Sequence, residues 1–410
     1  MKRKLKRLAA CAIGGSLALG LTAPVQAEIS DNIVKIGVMN DMSGPYADVT
    51  GIGSVIAAKM AVEDYLSSTG SQLKVEVISA DHQLKPDVGS SIARKWYDTE
   101  GVDAIVDVPA SSVALAINQI TKEKDKAFIG VGPGTTELSG KQCSPNTVQW
   151  LYDTWLQANG TANAILKQGG DTWFFLTADY AYGYSLEKEV TEVVEKNGGT
   201  VVGGVKVPLG TQDYSSFLLQ AQSSKAKIIG LGNAGADTIN SIKQAAEFGI
   251  TQAGQQMAAF LLFITEVDSL GLEASQGLLT TQTFYWDLND ETRAWTERFK
   301  ALKKNKYPTS INAGVYSGVL HYLKAVDALG SDKGSEVIAK MKEMPTDDVL
   351  FGKGSVRPDG RKLHPAYLFE VKAPQESRYP FDYFKLVETI PAEETASPLA
   401  ESECPLVAKN

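Results

Sequence analysis

Strand-like and helix-like stretches alternate along almost the whole chain, and the pattern runs twice. Short apolar runs at 34–39, 73–79, 104–108 and 127–131 are rich in Val, Ile or Phe and bounded by polar residues, as buried strands are. Between them, 54–67, 88–99 and 113–124 carry apolar residues at helical spacing. Strands that alternate with helices in this way belong in a parallel sheet with helices on both faces. The pattern then restarts. Helical stretches at 155–167, 185–196, 215–223 and 239–248 alternate with strands at 172–177, 201–207, 228–231 and 257–263. The two openings match in kind. The strand 34–41 leads to Ser43-Gly44, and 173–179 leads to Tyr182-Gly183, each through a polar loop carrying Asp. The expected fold class is α/β, with two lobes of one doubly wound architecture.

After a strand at 278–281 come helices at 291–303, 312–329 and 336–341. Extended stretches at 353–357 and 367–372 flank Pro358-Asp359-Gly360, a turn sequence, and predict a hairpin. From Ala373 onward prolines and charges dominate, so 373–410 is expected as an extended tail.

The first residues are of a different kind. Lys2, Arg3, Lys4, Lys6 and Arg7 precede an apolar stretch at 8–21, followed by Pro24 and Val25-Gln26-Ala27. This is the layout of a cleavable signal peptide over residues 1–27, and it implies export to the periplasm. The apolar stretch is shorter than the roughly 18 residues that span a bilayer. Leu8-Ala9-Ala10-Cys11 has the look of a lipidation box, but it follows the basic cluster too closely to have an apolar core ahead of it. Removing 27 residues from 410 leaves 383, more than one hydrophobic core usually supports. The whole chain carries a net charge of −8, and loss of those five basic residues takes it to −13. An acidic surface argues against nucleic acid as a partner. Two cysteines remain, Cys143 and Cys404. In an oxidising compartment they can form a disulfide that pins the tail to the body, with two separate thiols as the alternative.

Groups for catalysis are scarce. The histidines His82, His321 and His364 have no metal-ligand spacing, and no Gly-x-Ser-x-Gly elbow, Walker loop or complete dinucleotide fingerprint is present. Neither an enzymatic activity nor a cofactor is expected. His82, in Asp81-His82-Gln83, reads as part of a surface turn. Groups for binding are better represented. Ligands of doubly wound sheets sit at the carboxyl ends of the strands. The loops there hold 41–47, Pro109-Ala110-Ser111-Ser112 and Gly132-Pro133-Gly134-Thr135-Thr136 in the first half. The second half supplies Asp179-Tyr180-Ala181-Tyr182 and Asn233-Ala234-Gly235. Small residues and hydroxyls at helix starts favour an anion, through free N–H groups and the helix dipole, although each hydroxyl can equally be a cap. Tyr180 and Tyr182 can clamp a flat or apolar ligand. Trp150 and Tyr152 lie at the boundary between the halves, where a cleft would be.

Val34-Lys35-Ile36-Gly37-Val38 with Asp41-Met42-Ser43-Gly44-Pro45, the Ser111-Ser112 loop, the Pro133-Gly134-Thr135-Thr136 loop and Asp179 with Tyr182-Gly183 together resemble periplasmic binding proteins of the branched-chain amino-acid importer type. The resemblance covers about residues 32–390. It implies the type I periplasmic binding protein fold, with two Rossmann-like lobes joined by three crossovers near 147–150, 281–283 and 345–348. It places 28–147 with 283–345 in one lobe and 148–282 with 346–372 in the other. It implies a small-molecule ligand held between the lobes, inner-membrane ABC permease subunits as partners, and a monomer. A ligand-sensing subunit of a signalling protein, or an amino-acid or amide receptor, is the alternative. The implied ligand residues are Ser111, Ser112, Thr135 and Thr136 for a carboxylate, with Trp150, Tyr180, Tyr182 and Asn233 around them. One departure bears on the ligand. Amino-acid binders of the family place an acid after the strand that here runs to Phe260, where this chain has Leu261-Leu262-Phe263 and reaches Glu266 and Asp268 only later. A buried ammonium without a counter-charge is costly. The expected ligand is therefore a carboxylate lacking the amine, with an aromatic or hydroxylated aromatic acid favoured.

Overall fold

The computed structural model describes residues 29–408; the expected signal peptide and Cys11 lie outside the described residues. The first sheet holds β1 (Val34–Asn40), β2 (Val75–Asp81), β3 (Ala104–Asp107), β4 (Ala127–Gly130) and β5 (Thr147–Gln149), all parallel, in the order β2-β1-β3-β4-β5. Its crossover helices are α1 (Gly51–Thr69), α2 (Pro86–Thr99) and α3 (Ser111–Glu123). β1, β3 and β4 are buried almost throughout because helices cover both faces, whereas edge strand β2 stays half-exposed. Gly37 in β1 has a packing reason: a Cβ there would collide with the indole of Trp96 from α2.

The chain then passes through α4 (Thr154–Gln157), a π-helical turn at Ala158–Ala162 and α5 (Asn163–Lys167). It builds a second parallel sheet, in the order β7-β6-β8-β9, from β6 (Thr172–Ala178), β7 (Thr200–Val207), β8 (Ile228–Gly232) and β9 (Gln256–Ala259). Its helices are α6 (Ala181–Lys196), α7 (Ser215–Ser224) and α8 (Ala236–Glu247). The strand expected over 257–263 ends at Ala259. Phe260, Leu261, Leu262 and Phe263 leave the sheet as a buried loop leading to α9 (Ile264–Leu270) and α10 (Leu272–Ser275).

β10 (Leu279–Gln282) follows, then α11 (Asp290–Leu302), α12 (Ser310–Leu329) and α13 (Gly334–Glu343). α12 starts on a capping box of Thr309 and Asn312, ends on left-handed Gly330, and packs along α1 of the first lobe. A hairpin does form across Pro358-Asp359-Gly360, closed by Arg357 N–H donating to Arg361 O (2.9 Å), but its returning strand is Lys362–Leu363 and not the expected 367–372. β11 (Thr346–Asp348), β12 (Gly352–Val356) and β13 (Lys362–Leu363) make a small antiparallel sheet of their own. β14 (Ala366–Val371) pairs instead with β10 and with β15 (Phe384–Ile390). Thr346–Asp348, expected as the third crossover, is therefore a strand of the small sheet, and the chain enters the sheet of β10 only at Ala366. The expected tail is corrected as well, since 384–390 is a full strand covering the edge of β14. Cys143 and Cys404 are joined by a disulfide, with a Cα–Cα distance of 5.5 Å.

Candidate functional site

The carboxyl ends of the two parallel sheets face one another, and the loops that leave them meet along a seam. From the first lobe come the Asp41–Thr50 segment, the turn after β3 and the turn after β4. The second lobe contributes the loops after β6, β8 and β9. Asp41 shapes the first of these. Its carboxylate accepts the N–H groups of Gly44 (2.9 Å) and Tyr46 (2.8 Å), folding the loop back so that Tyr46 points across the seam. There the Tyr46 hydroxyl meets that of Tyr180 at 2.8 Å. Beside it Ala236 N–H donates to Pro45 O (3.1 Å). Gly235 has φ 60°, and a Cβ there would overlap Pro45 O, so only glycine permits this approach. Ala181 N–H donates to Ser112 Oγ (3.3 Å), and Thr136 N–H to Ser185 Oγ (3.3 Å).

Within the seam lies a cavity of about 20 Å³, walled by Tyr46, Val49, Thr50, Pro109, Gly132, Tyr152, Tyr180, Tyr182, Ala234, Leu261, Phe263 and Ile311. It has room for about one water. The tyrosines line it while their hydroxyls are tied to the protein. Tyr152 donates to Gly132 O (2.9 Å) and Tyr182 to Gln157 Oε1 (3.1 Å). Burial pushes the phenols of Tyr46, Tyr152 and Tyr182 well above their ordinary value, so they remain neutral. Glu266 lies behind Ala234. Burial pushes its carboxyl up to about 7, and its oxygens are occupied by Gly235 N–H (3.1 Å) and Thr265 Oγ1 (2.9 Å). Asp268 is at the surface, accepting from Tyr383 Oη (2.8 Å).

Of the residues singled out from the sequence, Tyr180 and Tyr182 stand in the cavity wall. Ser111 is fully buried at the start of α3 and accepts from Thr135 N–H (3.3 Å), which joins the two hydroxyl loops. Ser112 and Thr136 face the second lobe, and Thr135 Oγ1 caps a short turn by accepting from Glu137 N–H (3.3 Å). Trp150 and Asn233 sit apart from the wall. Trp150 Nε1 donates to Ser317 Oγ (3.0 Å), and its ring lies under the Lys362 ammonium at 4.3 Å, in the packed region where the chain passes between lobes. Asn233 accepts from Thr238 Oγ1 (2.8 Å) and donates to Ser241 Oγ (3.2 Å), serving the start of α8. Tyr46 and Pro109 belong to loops singled out from the sequence but were not named as ligand residues, Leu261 and Phe263 were noted only for the acid missing there, and Tyr152 only as a boundary residue. For Tyr46 the signal was available: an Asp five residues earlier, with Ser43-Gly44-Pro45 between, marks a turn that fixes where the next side chain points. His82 is not a surface residue. It is fully buried, its Nδ1 accepts from Leu84 N–H (3.0 Å), and burial lowers its pKa to about 4. Among the described residues no group of three or more His, Cys, Asp or Glu could hold a metal ion, and no helix is long and apolar enough to cross a membrane.

Two parallel sheets meeting at their carboxyl edges over a small aromatic cavity define a two-lobed solute-binding protein of the type I fold. The family model described as "Periplasmic binding protein" matches residues 33–377, so the chain belongs to the periplasmic binding protein family, whose members serve in the periplasm. It is similar to a periplasmic binding protein from Burkholderia mallei, 49% identical, with a TM-score of 0.89, covering 92% of this chain and 99% of that one. A branched-chain amino-acid ABC transporter periplasmic ligand-binding protein from Burkholderia xenovorans is 40% identical, with a TM-score of 0.79 and coverage of 92% and 100%. A solute-binding protein from Rhodopseudomonas palustris, solved in complex with 4-hydroxybenzoate, shares the fold at 22% identity, with a TM-score of 0.76 and coverage of 88% and 97%.

Proposed function

We propose that the chain is the extracytoplasmic receptor of an ABC importer, without catalysis, that takes a small carboxylate into the seam and passes it to inner-membrane permease subunits, acting as a monomer. An aromatic acid is favoured over an amino acid. The observation that carries this preference is the cavity wall, where the rings of Tyr46, Tyr152, Tyr180, Tyr182 and Phe263 meet aliphatic groups and no charged side chain takes part. Such a wall suits a flat apolar body and gives an ammonium no carboxylate partner. The carboxylate would be received by the N–H groups and hydroxyls at the starts of α3 and the turn after β4, where Ser111, Ser112, Thr135 and Thr136 lie. One lobe comprises 28–147 and 283–345. The other comprises 148–282 and the strands from Ala366 onward, with the small sheet riding on α13. The name of the 40% identical Burkholderia xenovorans protein favours a second reading, a receptor for a branched-chain amino acid.

A thermal-shift screen separates the two. A ligand at about 100 times its dissociation constant adds about 2.7 kcal/mol of stability. Benzoate and 4-hydroxybenzoate are expected to raise the melting temperature most; leucine or valine giving the largest rise would sink the aromatic preference.

The cavity is far smaller than benzoate, so a ligand enters only when the lobes part, and it bridges them when they return. Gly235→Ala introduces a Cβ against Pro45 O only when the lobes are together. The variant is expected to bind ligand at least about tenfold more weakly, and small-angle scattering should give a larger radius with ligand than for the unsubstituted protein. Unchanged affinity and radius would mean that this approach is not part of the bound state.

A further inference from the structure

The stretch that follows the last strand returns to the other lobe. β15 pairs with β14, Ile390 opposite Ala366, and β14 lies against β10. β10 is seated in the second lobe, where Thr281 Oγ1 meets Thr161 Oγ1 of the π-helical turn at 2.9 Å. Past residues 391–394 the partners change. Arg361 Nη2 donates to Thr395 O (3.3 Å) and Arg357 Nη1 to Ser397 O (2.6 Å). Both arginines stand in the turn between β12 and β13. That turn sits on the edge strand of the first sheet, since Gln149 N–H donates to Gly360 O (2.9 Å) and Gln149 pairs with Arg361. Lys141 then pairs with Glu403 (3.4 Å), and Cys404 is bonded to Cys143, between β4 and β5. Thr395, Ala396 and Cys404 are buried, whereas Pro391, Glu393 and Glu394 are exposed. A short open crossing thus leads to a buried landing on the first lobe.

The chain also passes between the lobes after β5, after β10 and, through His364-Pro365, from β13 to β14. We propose that residues 391–394 are a fourth passage, running beside His364-Pro365 in the opposite direction, and that the disulfide fixes its landing so that it restrains the parting of the lobes. This rests on the division into two lobes given above and not on the class of ligand. One passage can turn about its own φ and ψ angles, as a hinge does. Two passages side by side, each fixed at both ends, share one bending axis and resist twisting about any other. Without the bond, the landing depends on two carbonyl hydrogen bonds and on the Lys141–Glu403 pair, whose side chains are 63% and 60% exposed. An ion pair so exposed adds little, and a chain segment held by a few such contacts opens locally. The covalent bond keeps the fourth passage in place whenever those contacts release.

The test is hydrogen exchange of the ligand-free mature protein, before and after Cys143→Ser with Cys404→Ser. Three N–H groups read the seam directly because each is bonded across it: Ala236 to Pro45 O (3.1 Å), Ala181 to Ser112 Oγ (3.3 Å) and Thr136 to Ser185 Oγ (3.3 Å). Loss of the bond is expected to speed exchange at all three at least about fivefold, while Gly70 and Gly249, whose N–H groups close helix ends within one lobe, exchange as before. A second variant keeps the bond and inserts about eight Gly and Ser residues between Glu393 and Glu394, which slackens the passage. It should speed the same three groups. Unchanged exchange at the seam in either variant overturns the proposal. So does faster exchange at Thr136 alone, which is loosening of the loop next to Cys143, or equal acceleration at Gly70 and Gly249, which is a general loss of stability. No ligand enters the measurement, so a failure of the aromatic-acid reading leaves its outcome untouched.

Discussion

Arg361→Ala is expected to lower the free energy of unfolding by about 3–5 kcal/mol, measured by denaturant unfolding at neutral pH. Arg361 and Asp153 are almost wholly buried, with side-chain exposures of 1% and 4%, and Nε donates to Asp153 Oδ2 at 2.9 Å. The other guanidinium nitrogens donate to Lys362 O (2.7 Å) and Thr395 O (3.3 Å). Asp153 Oδ1 in turn caps α4 by accepting from Leu156 N–H (2.8 Å). One side chain thus ties the passage after β5, the turn before β13 and the C-terminal segment. Truncating it leaves the Asp153 carboxylate buried without its counter-charge, which costs far more than the pair contributes. The double variant Arg361→Met with Asp153→Asn should recover most of the loss, because it removes the stranded charge and keeps the volume and the cap. A loss under about 1 kcal/mol in the single variant would mean that water reaches Asp153 and the burial is not maintained in solution.

The second large effect is covalent. The Cys143–Cys404 bridge spans 261 positions, and closing so long a loop restricts the unfolded chain by about 5.5 kcal/mol on the chain-entropy model, an upper bound. The segment it holds has other ties. Arg357 Nη1 donates to Ser397 O (2.6 Å), Arg361 reaches Thr395 O, and Lys141 pairs with Glu403 at 3.4 Å. The reduced protein should therefore stay folded but melt lower, with a loss of about 2–5 kcal/mol. Cys143→Ser with Cys404→Ser should reproduce the reduced protein and make its melting insensitive to reductant. If reductant freed two thiols and left the melting temperature unchanged, the segment would be held by its polar contacts alone.

The parallel strands and their crossover helices were legible because their signals are local. A run such as Val34 to Met39, apolar but for Lys35, is best placed inside a sheet covered on both sides, and helical spacing in the following stretch sets the direction of return. Strand partners further away were not legible. Tyr367 to Lys372 reads equally well as half of a hairpin or as the middle of a sheet. Only the arrival of β10 on one side and β15 on the other decides, and β15 was hidden in a stretch whose charges suit an edge strand as well as a tail.

The site divides the same way. Hydroxyls and glycines after strands pointed to the loops that meet at the seam, and Tyr180 and Tyr182 were found by their position alone. Asn233 and Trp150 carried the same signals but were claimed by nearer partners, a helix start and a packed ammonium. The sequence by itself determined a two-lobed α/β fold of the periplasmic binding protein family. Tertiary structure alone decided which rings close the cavity and where the last strands go. Tyr46 and Tyr180 are 134 positions apart, and no periodicity within either segment encodes their meeting; it follows from two separately folded sheets presenting their carboxyl edges to each other.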